Sequence, residues 1–168
     1  DLSLAFRVLC QTTVGKSPFY LYPLITTSFL KGANSEGLGG AKTVRGVLRN
    51  RVVGKTIAFG NLEMRYKFWR FRFINQNFYA GINVFVDGGM VLEDIPFDKS
   101  EATAAATINY PEFDANRYFG SKEVLHVGYG SGGRLVMNQN FVIALDAAQS
   151  ARKEDGGLGI YIGLNYLF

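Results

Sequence analysis

The chain contains little cysteine, histidine and proline, and few charged residues. Its 168 residues include one cysteine, Cys10, one histidine, His126, and four prolines, and only 19% are charged. One thiol and one imidazole cannot form an internal disulfide or a typical zinc site, which excludes a disulfide scaffold and structural zinc. The hydrophobic fraction of 48% is too high for a disordered tail, and the length fits one domain.

Long apolar runs and clustered basic residues are also absent. No run of about 18 apolar residues occurs, so the sequence predicts no membrane-spanning helix, although a membrane strand needs no such run. The net charge is +4, but lysines and arginines are spread singly along the chain, and we therefore expect no nucleic-acid partner. The chain begins at Asp1 without an initiator methionine or a secretory leader, so we expect it to be a piece of a longer protein.

Apolar and polar side chains alternate along several long segments, as they do in β-strands with two different faces. Between residues 62 and 69 this alternation places Trp69 on a polar face with Glu63, Arg65 and Lys67. Six strands are predicted in this way, near residues 2–14, 56–73, 78–91, 123–136, 140–149 and 158–168. Most are longer than strands of soluble sheets and long enough for a tilted crossing of a bilayer.

The connections between these strands are alternately long and short. Two short polar turns, at residues 74–77 and 137–140, alternate with long segments at residues 15–55, 91–122 and 151–157. All short turns therefore fall at one end, as in outer-membrane barrels, and the fold class predicted is an all-β, antiparallel, up-and-down transmembrane β-barrel. A charged interior and an apolar exterior fit this fold, because the polar face also carries His126, Arg134 and Asp146. A soluble sandwich or lipocalin-like barrel remains the alternative, since its strands also alternate.

The end of the chain has the pattern Tyr161-x-Gly163-x-x-Tyr166-x-Phe168. Alternation places Ile160, Ile162 and Leu164 on one face, and Tyr166 and Phe168 are expected on that same face. This pattern resembles the C-terminal signal of bacterial outer-membrane barrels, in which a lipid-facing row ends in aromatic side chains. An ordinary amphipathic edge strand is the alternative interpretation.

A second motif, Val44-Arg45-Gly46, lies inside the longest predicted connection. It is followed by Gly60-Asn61-Leu62-Glu63-x-Arg65 in the next strand and by Phe85-x-Asp87-x-Gly89 in the strand after that. In order and spacing these motifs resemble the outer-membrane protein assembly factor superfamily (BamA/TamA-like, bacterial surface antigen family). The resemblance covers essentially the whole chain and corresponds to the last six strands of that family's sixteen-strand barrel. One departure is Val47, where the family usually has phenylalanine or tyrosine.

The resemblance implies that residues 15–55 fold into the barrel lumen. Arg45 would pair there with Glu63 and Asp87, and Val44, Gly46 and Gly89 would complete the anchor of this loop. A guanidinium has five donors, so it can bridge two carboxylates on neighbouring strands. The alternative is that Arg45 is a solvated loop cation and Asp87 a charge at a strand end.

The function implied by the resemblance is insertion of client proteins into the bacterial outer membrane, without ATP, at a lateral seam of the barrel. The expected partners are outer-membrane lipid, client outer-membrane proteins, periplasmic or lipoprotein accessory subunits, and upstream strands or a partner chain, because six strands cannot close a barrel. A polypeptide-exporting pore of the two-partner secretion type and the barrel anchor of a fused hydrolase remain alternatives. We expect no catalytic residue, cofactor or metal in this chain.

Overall fold

A computed structural model describes residues 1–28, 33–114, 123–138, 140–164 and 166. The strands, in chain order, are β1 (Leu2–Thr12), β2 (Leu24–Ser28), β3 (Ala33–Glu36), β4 (Thr56–Phe73), β5 (Gln76–Glu93), β6 (His126–Met137), β7 (Phe141–Ser150) and β8 (Leu158–Leu164). Six of them form one antiparallel sheet in the order β1-β4-β5-β6-β7-β8, and β2 pairs with β3 in a separate small sheet. The prediction of six antiparallel strands, each paired with its neighbours along the chain, is confirmed.

The connection between β1 and β4 contains more regular structure than the sequence indicates. A single 3₁₀ turn (Phe19–Leu21) and the β2–β3 pair lie in the segment predicted as one long loop. Between β5 and β6 the chain forms a helix, α1 (Lys99–Asn109), whose first backbone N–H groups are capped by the carboxylate of Asp98. Among the described residues, no helix is both long and apolar enough to cross a bilayer.

The two faces of the six-stranded sheet differ in polarity, and the exposed one is apolar. We call the side that carries Asn61, Glu63, Asn83, Asp87, Arg134 and Asp146 the polar face; all six side chains are buried. On the opposite side, the apolar face, large hydrophobic side chains are 41–80% exposed, among them Phe6, Leu62, Met64, Val84, Val86, Leu145 and Ile160. This distribution is the reverse of the one in a water-soluble domain.

A β-bulge near the end of β4 changes which side chains share a face. Lys67 pairs with Gly81, but Trp69 pairs with Ala80, so one extra residue is inserted between them. Trp69 therefore lies beside Phe71, with the two ring centroids 4.8 Å apart, instead of following Lys67. The prediction that Trp69 lies on the polar face is wrong, because one inserted residue reverses the alternation beyond it.

A small apolar core joins the β1–β4 connection to the polar face at the end of the long connections. It consists of buried side chains from both partners: Ile25, Leu38, Val44, Val47, Val52, Ile57, Phe59 and Val91. Val47 is only 1% exposed, so a β-branched side chain fills the position where the resembled family usually has an aromatic ring. On this side of the sheet, the buried side chains are apolar at the end of the long connections and charged nearer the short turns.

Candidate functional site

The strand register places small residues beside the buried charges of the polar face. Two successive rows cross strands β4 to β7: Asn61, Asp87, Gly128 and Ser150, then Glu63, Phe85, Gly130 and Ala148. Because β6 and β7 contribute little side-chain volume to these rows, the backbone of another segment can approach the sheet closely. Residues 43–47 of the β1–β4 connection make that approach: a Cβ added to Gly128 would lie 1.7 Å from the carbonyl oxygen of Arg45.

Arg45 is the centre of the site and is 1% exposed. Its Nε and Nη2 donate to the two carboxylate oxygens of Asp87, at 2.7 and 3.0 Å. Its Nη1 lies 2.7 Å from Glu63 Oε1 and 3.1 Å from Asp146 Oδ2. The guanidinium also stacks on Phe85, 3.4 Å from the ring centroid. Both predicted pairings are present in the structure, and the alternative of a solvated Arg45 is wrong.

Two further arginines extend this contact into a network. Arg65 lies 2.8 Å from Glu63, and Arg134 donates to both oxygens of Asp146, at 2.5 and 3.0 Å. Arg45, Arg65 and Arg134 thus balance the three carboxylates of Glu63, Asp87 and Asp146, which offsets the desolvation cost of burying them. Burial alone would lower the pKa of Arg45, but the hydrogen bonds and charges of Asp87 and Glu63 outweigh it and raise that pKa above its ordinary value.

Strand β8 and the β7–β8 connection contact the same loop from a second side. Gly46 has a φ of +90°, and its backbone N–H donates to the hydroxyl of Tyr161 at 2.9 Å. The N–H of Leu48 donates to the carbonyl of Asp155 at 2.8 Å. Asp155 is itself buried, with Oδ2 2.8 Å from Nδ1 of His126. The chain's one histidine therefore lies beside the carboxylate of a residue whose backbone carbonyl helps to position the loop.

The other predicted site residues are distributed between the core and β8. Val44 is fully buried in the apolar core, and Gly89 lies beneath it, where an added Cβ would be 3.0 Å from Val44 Cγ2. At Gly163 an added Cβ would meet no described atom within 4 Å. Phe168 is outside the described residues, so its role as a terminal signal stays a prediction.

Tyr166 differs from the sequence expectation. Its hydroxyl is 2.8 Å from the hydroxyl of Tyr79, and Arg65 lies over its ring at 4.6 Å from the centroid. Both partners belong to the polar face, so Tyr166 does not share the face of Ile160, Ile162 and Leu164. The alternation that predicts the apolar position does not continue, because β8 ends at Leu164.

Four members of the site lack a predicted role in the sequence. Alternation places Arg134 and Asp146 on the polar face, and Phe85 belongs to the motif that contains Asp87. Nothing in the sequence shows that these three side chains belong to the network around Arg45. Asp155 lies in a connection, where no periodicity indicates which way a side chain faces. In the part of the chain that the structure describes, no group of three histidine, cysteine, aspartate or glutamate side chains could hold a metal ion.

No family model matches the chain, and searches of curated proteins and of solved structures return no match. Membership of the assembly factor superfamily therefore stays a prediction from the motifs. What the site does by itself is clear from its geometry: it fixes residues 43–47 against the sheet by charge and close packing.

Replacing Arg45 with alanine should release the loop from the polar face. The substitution leaves Glu63 and Asp87 buried without their main cation, and breaking a buried pair costs about 3–5 kcal/mol. We expect rapid protease cleavage within residues 38–52 of the folded protein, measured by mass spectrometry of the fragments. Lys42→Ala, which removes an exposed cation from the same loop, is the control. Identical cleavage of both variants would contradict the anchoring role of Arg45.

Gly128→Ala should displace the loop without altering any charge. The added methyl would overlap the carbonyl oxygen of Arg45, so the loop backbone must move away from β6. Gly133→Ala is the matched control on the same strand, because a Cβ there meets no described atom within 4 Å. We expect cleavage of residues 38–52 in the first variant and wild-type resistance in the second. Resistance of both proteins would show that the loop does not lie against Gly128.

Proposed function

We propose that this chain forms part of a transmembrane β-barrel of the bacterial outer membrane, in a protein that inserts client outer-membrane proteins. The observation that carries the proposal is the combination of a buried, charged polar face with an exposed, apolar opposite face. In water such an arrangement exposes hydrophobic side chains and buries charged ones, which is unfavourable. In a bilayer the same arrangement places apolar side chains against lipid and charges inside the barrel.

The extent of the apolar face supports a lipid environment. Exposed large hydrophobic side chains occur on all six strands, with examples at Phe6, Leu62, Val84, Leu135, Leu145 and Ile160. Soluble monomers rarely expose contiguous apolar patches of this kind. Strands β4 and β5 have 18 residues each, more than the 9–11 that a tilted strand needs to cross the hydrocarbon core.

The open sheet supports closure by further strands. Strands β1 and β8 each have one paired neighbour, so their outer backbone groups require partners in lipid. Strands from elsewhere in the same protein or from a partner chain would supply them. In the proposed barrel the polar face becomes the lumen wall, and the loop around Arg45 partly fills the lumen.

The insertion activity rests on the motif resemblance together with the position of the site. Arg45 of the loop contacts Glu63 of β4 and Asp87 of β5, which is the pairing that the resemblance to the assembly factor superfamily implies; the two carboxylates lie in successive rows of adjacent strands. The loop thereby occupies the face along which an exported polypeptide would have to pass. A two-partner secretion pore shares this loop motif, so insertion and export are distinguished by experiment.

Val84→Arg should prevent stable incorporation of the protein into the outer membrane. Val84 lies near the middle of β5 on the apolar face, where an arginine facing lipid costs about 2–4 kcal/mol near the bilayer midplane. Ala105→Arg, on the exposed side of α1, adds the same charge outside the sheet and should be tolerated. The measurement is the amount of full-length protein in urea-washed outer membranes. Equal amounts of the two variants would contradict a lipid-facing sheet.

Insertion activity can be tested with the full-length protein reconstituted in liposomes. We expect a urea-unfolded eight-stranded outer-membrane barrel to fold faster into these liposomes than into protein-free ones, as followed by its heat-modifiable gel mobility. Liposomes that contain the denatured protein control for lipid perturbation during reconstitution. Passage of an unfolded polypeptide into the liposome interior, without faster folding of the barrel, would favour export and contradict insertion.

A further inference from the structure

One row of the polar face, on the short-turn side of the Arg45 network, combines two cations with small residues. The row consists of Lys67, Gly81, Arg134, Ala144 and Gly163. Three of these five residues have little or no side chain, which leaves room beside the two cations. A cavity of about 180 Å³ lies here, lined on its polar side by Ser3, Arg65, Lys67, Tyr79, Arg134 and Tyr166.

Lys67 brings a positive charge that the network does not balance. The three carboxylates of the network are already matched by Arg45, Arg65 and Arg134. No described carboxylate lies within ion-pair distance of Lys67 Nζ, which instead sits 4.8 Å from the ring centroid of Tyr79. The half-buried ammonium group of Lys67 therefore gives the cavity an excess of positive charge.

Buried polar groups near the cavity also lack partners. Arg134 is 5% exposed and uses Nη1 and Nη2 to bind Asp146, but its buried Nε–H donates to no described acceptor. Asn83, which faces Arg65 across the β4–β5 pair and is 1% exposed, has both side-chain amide atoms without a described partner. Such unpartnered groups are rare in native proteins, and these are enclosed by protein beside the cavity.

The two tyrosines add hydroxyl groups to this cluster. The Tyr79 and Tyr166 hydroxyls are 2.8 Å apart, and the hydrogen bond between them uses the proton of only one hydroxyl. The second hydroxyl proton can therefore be donated to another acceptor. An ammonium group and two hydroxyl groups thus line one small space, together with the Arg134 side chain.

We propose that this cavity binds a phosphate group, with Lys67 and a tyrosine hydroxyl as its donors; Arg134 lines the same cavity. A tetrahedral oxyanion presents several acceptor oxygens, so it can be bound by donors from several directions at once, and charge-assisted hydrogen bonds of this type are strong. The cavity shares Lys67 and Tyr79 with a larger recess of about 850 Å³, also lined by Arg70, Asn77 and Asn138. That recess gives access from the side of the short turns and has room for the remainder of a phosphate ester.

The phosphate could come from a soluble compound or from a lipid headgroup, and two titrations separate these sources. The full-length protein, folded in an uncharged detergent, is titrated calorimetrically with inorganic phosphate at constant ionic strength, and separately with a short-chain phosphatidic acid. Binding of inorganic phosphate indicates a soluble ligand. Binding of phosphatidic acid alone indicates a headgroup, and either result supports the site.

Three variants test where the phosphate binds. Lys67→Gln should weaken binding at least about tenfold, because it removes a charge-assisted contact. Lys67→Arg should retain most of the affinity, which would separate the loss of charge from a folding defect. Arg72→Gln is the matched control, since Arg72 lies on the same strand but lines neither cavity. The proposal is overturned if the folded wild-type protein binds neither probe at millimolar concentration, or if Lys67→Gln and Arg72→Gln weaken binding equally.

Discussion

The buried guanidinium of Arg45 is the interaction on which the arrangement of loop and sheet depends. It contacts carboxylates from three strands: Glu63 of β4, Asp87 of β5 and Asp146 of β7. Without the loop, the three carboxylates would lie close together with too few cations to balance them. Without the strands, no carboxylate would compensate the cost of burying Arg45. Loop and sheet therefore stabilise each other, and the glycines of β6 and the core around Val44 serve the same contact by permitting close approach.

A neutral charge network explains how so polar a face can be covered by protein. Among the described residues, none covers the opposite face in a comparable way, and its exposed side chains are large hydrophobic ones. A bilayer satisfies both faces at once, because it solvates apolar side chains and forces the backbone to pair all its hydrogen-bonding groups within strands. In the proposed barrel, the same constraint would require further strands beside β1 and β8. The polarity of the sheet thus connects the Arg45 network to the proposed membrane environment.

Features that follow from the alternation of side chains between the two faces of a strand could be predicted, and features that interrupt this alternation could not. Alternation locates the six strands of the sheet and places Glu63, Asp87, Arg134 and Asp146 on one face, since each strand has two sides. It fails at Trp69, where a bulge inserts one residue, and at Tyr166, which lies beyond the last residue of β8. Asp155 lies in a connection and has no periodic context. The pairing of Arg45 with two carboxylates could be predicted only from the order of the motifs, because contacts between distant segments leave no local pattern.

The loop is attached to the strands of the sheet with different strengths. The inner strands β4, β5 and β7 provide the ion pairs, whereas the edge strands use weaker bonds: Arg7 of β1 donates to the Lys42 carbonyl at 2.7 Å, and the Tyr161 hydroxyl of β8 accepts from Gly46. Separating an edge strand from its outer neighbour therefore breaks no charge pair of the Arg45 network. In the proposed barrel, the seam between its first and last strands could open for a client strand while the loop stays in place. A fixed loop and an opening at the outer edge of β8 are compatible because the charges lie in the middle of the sheet.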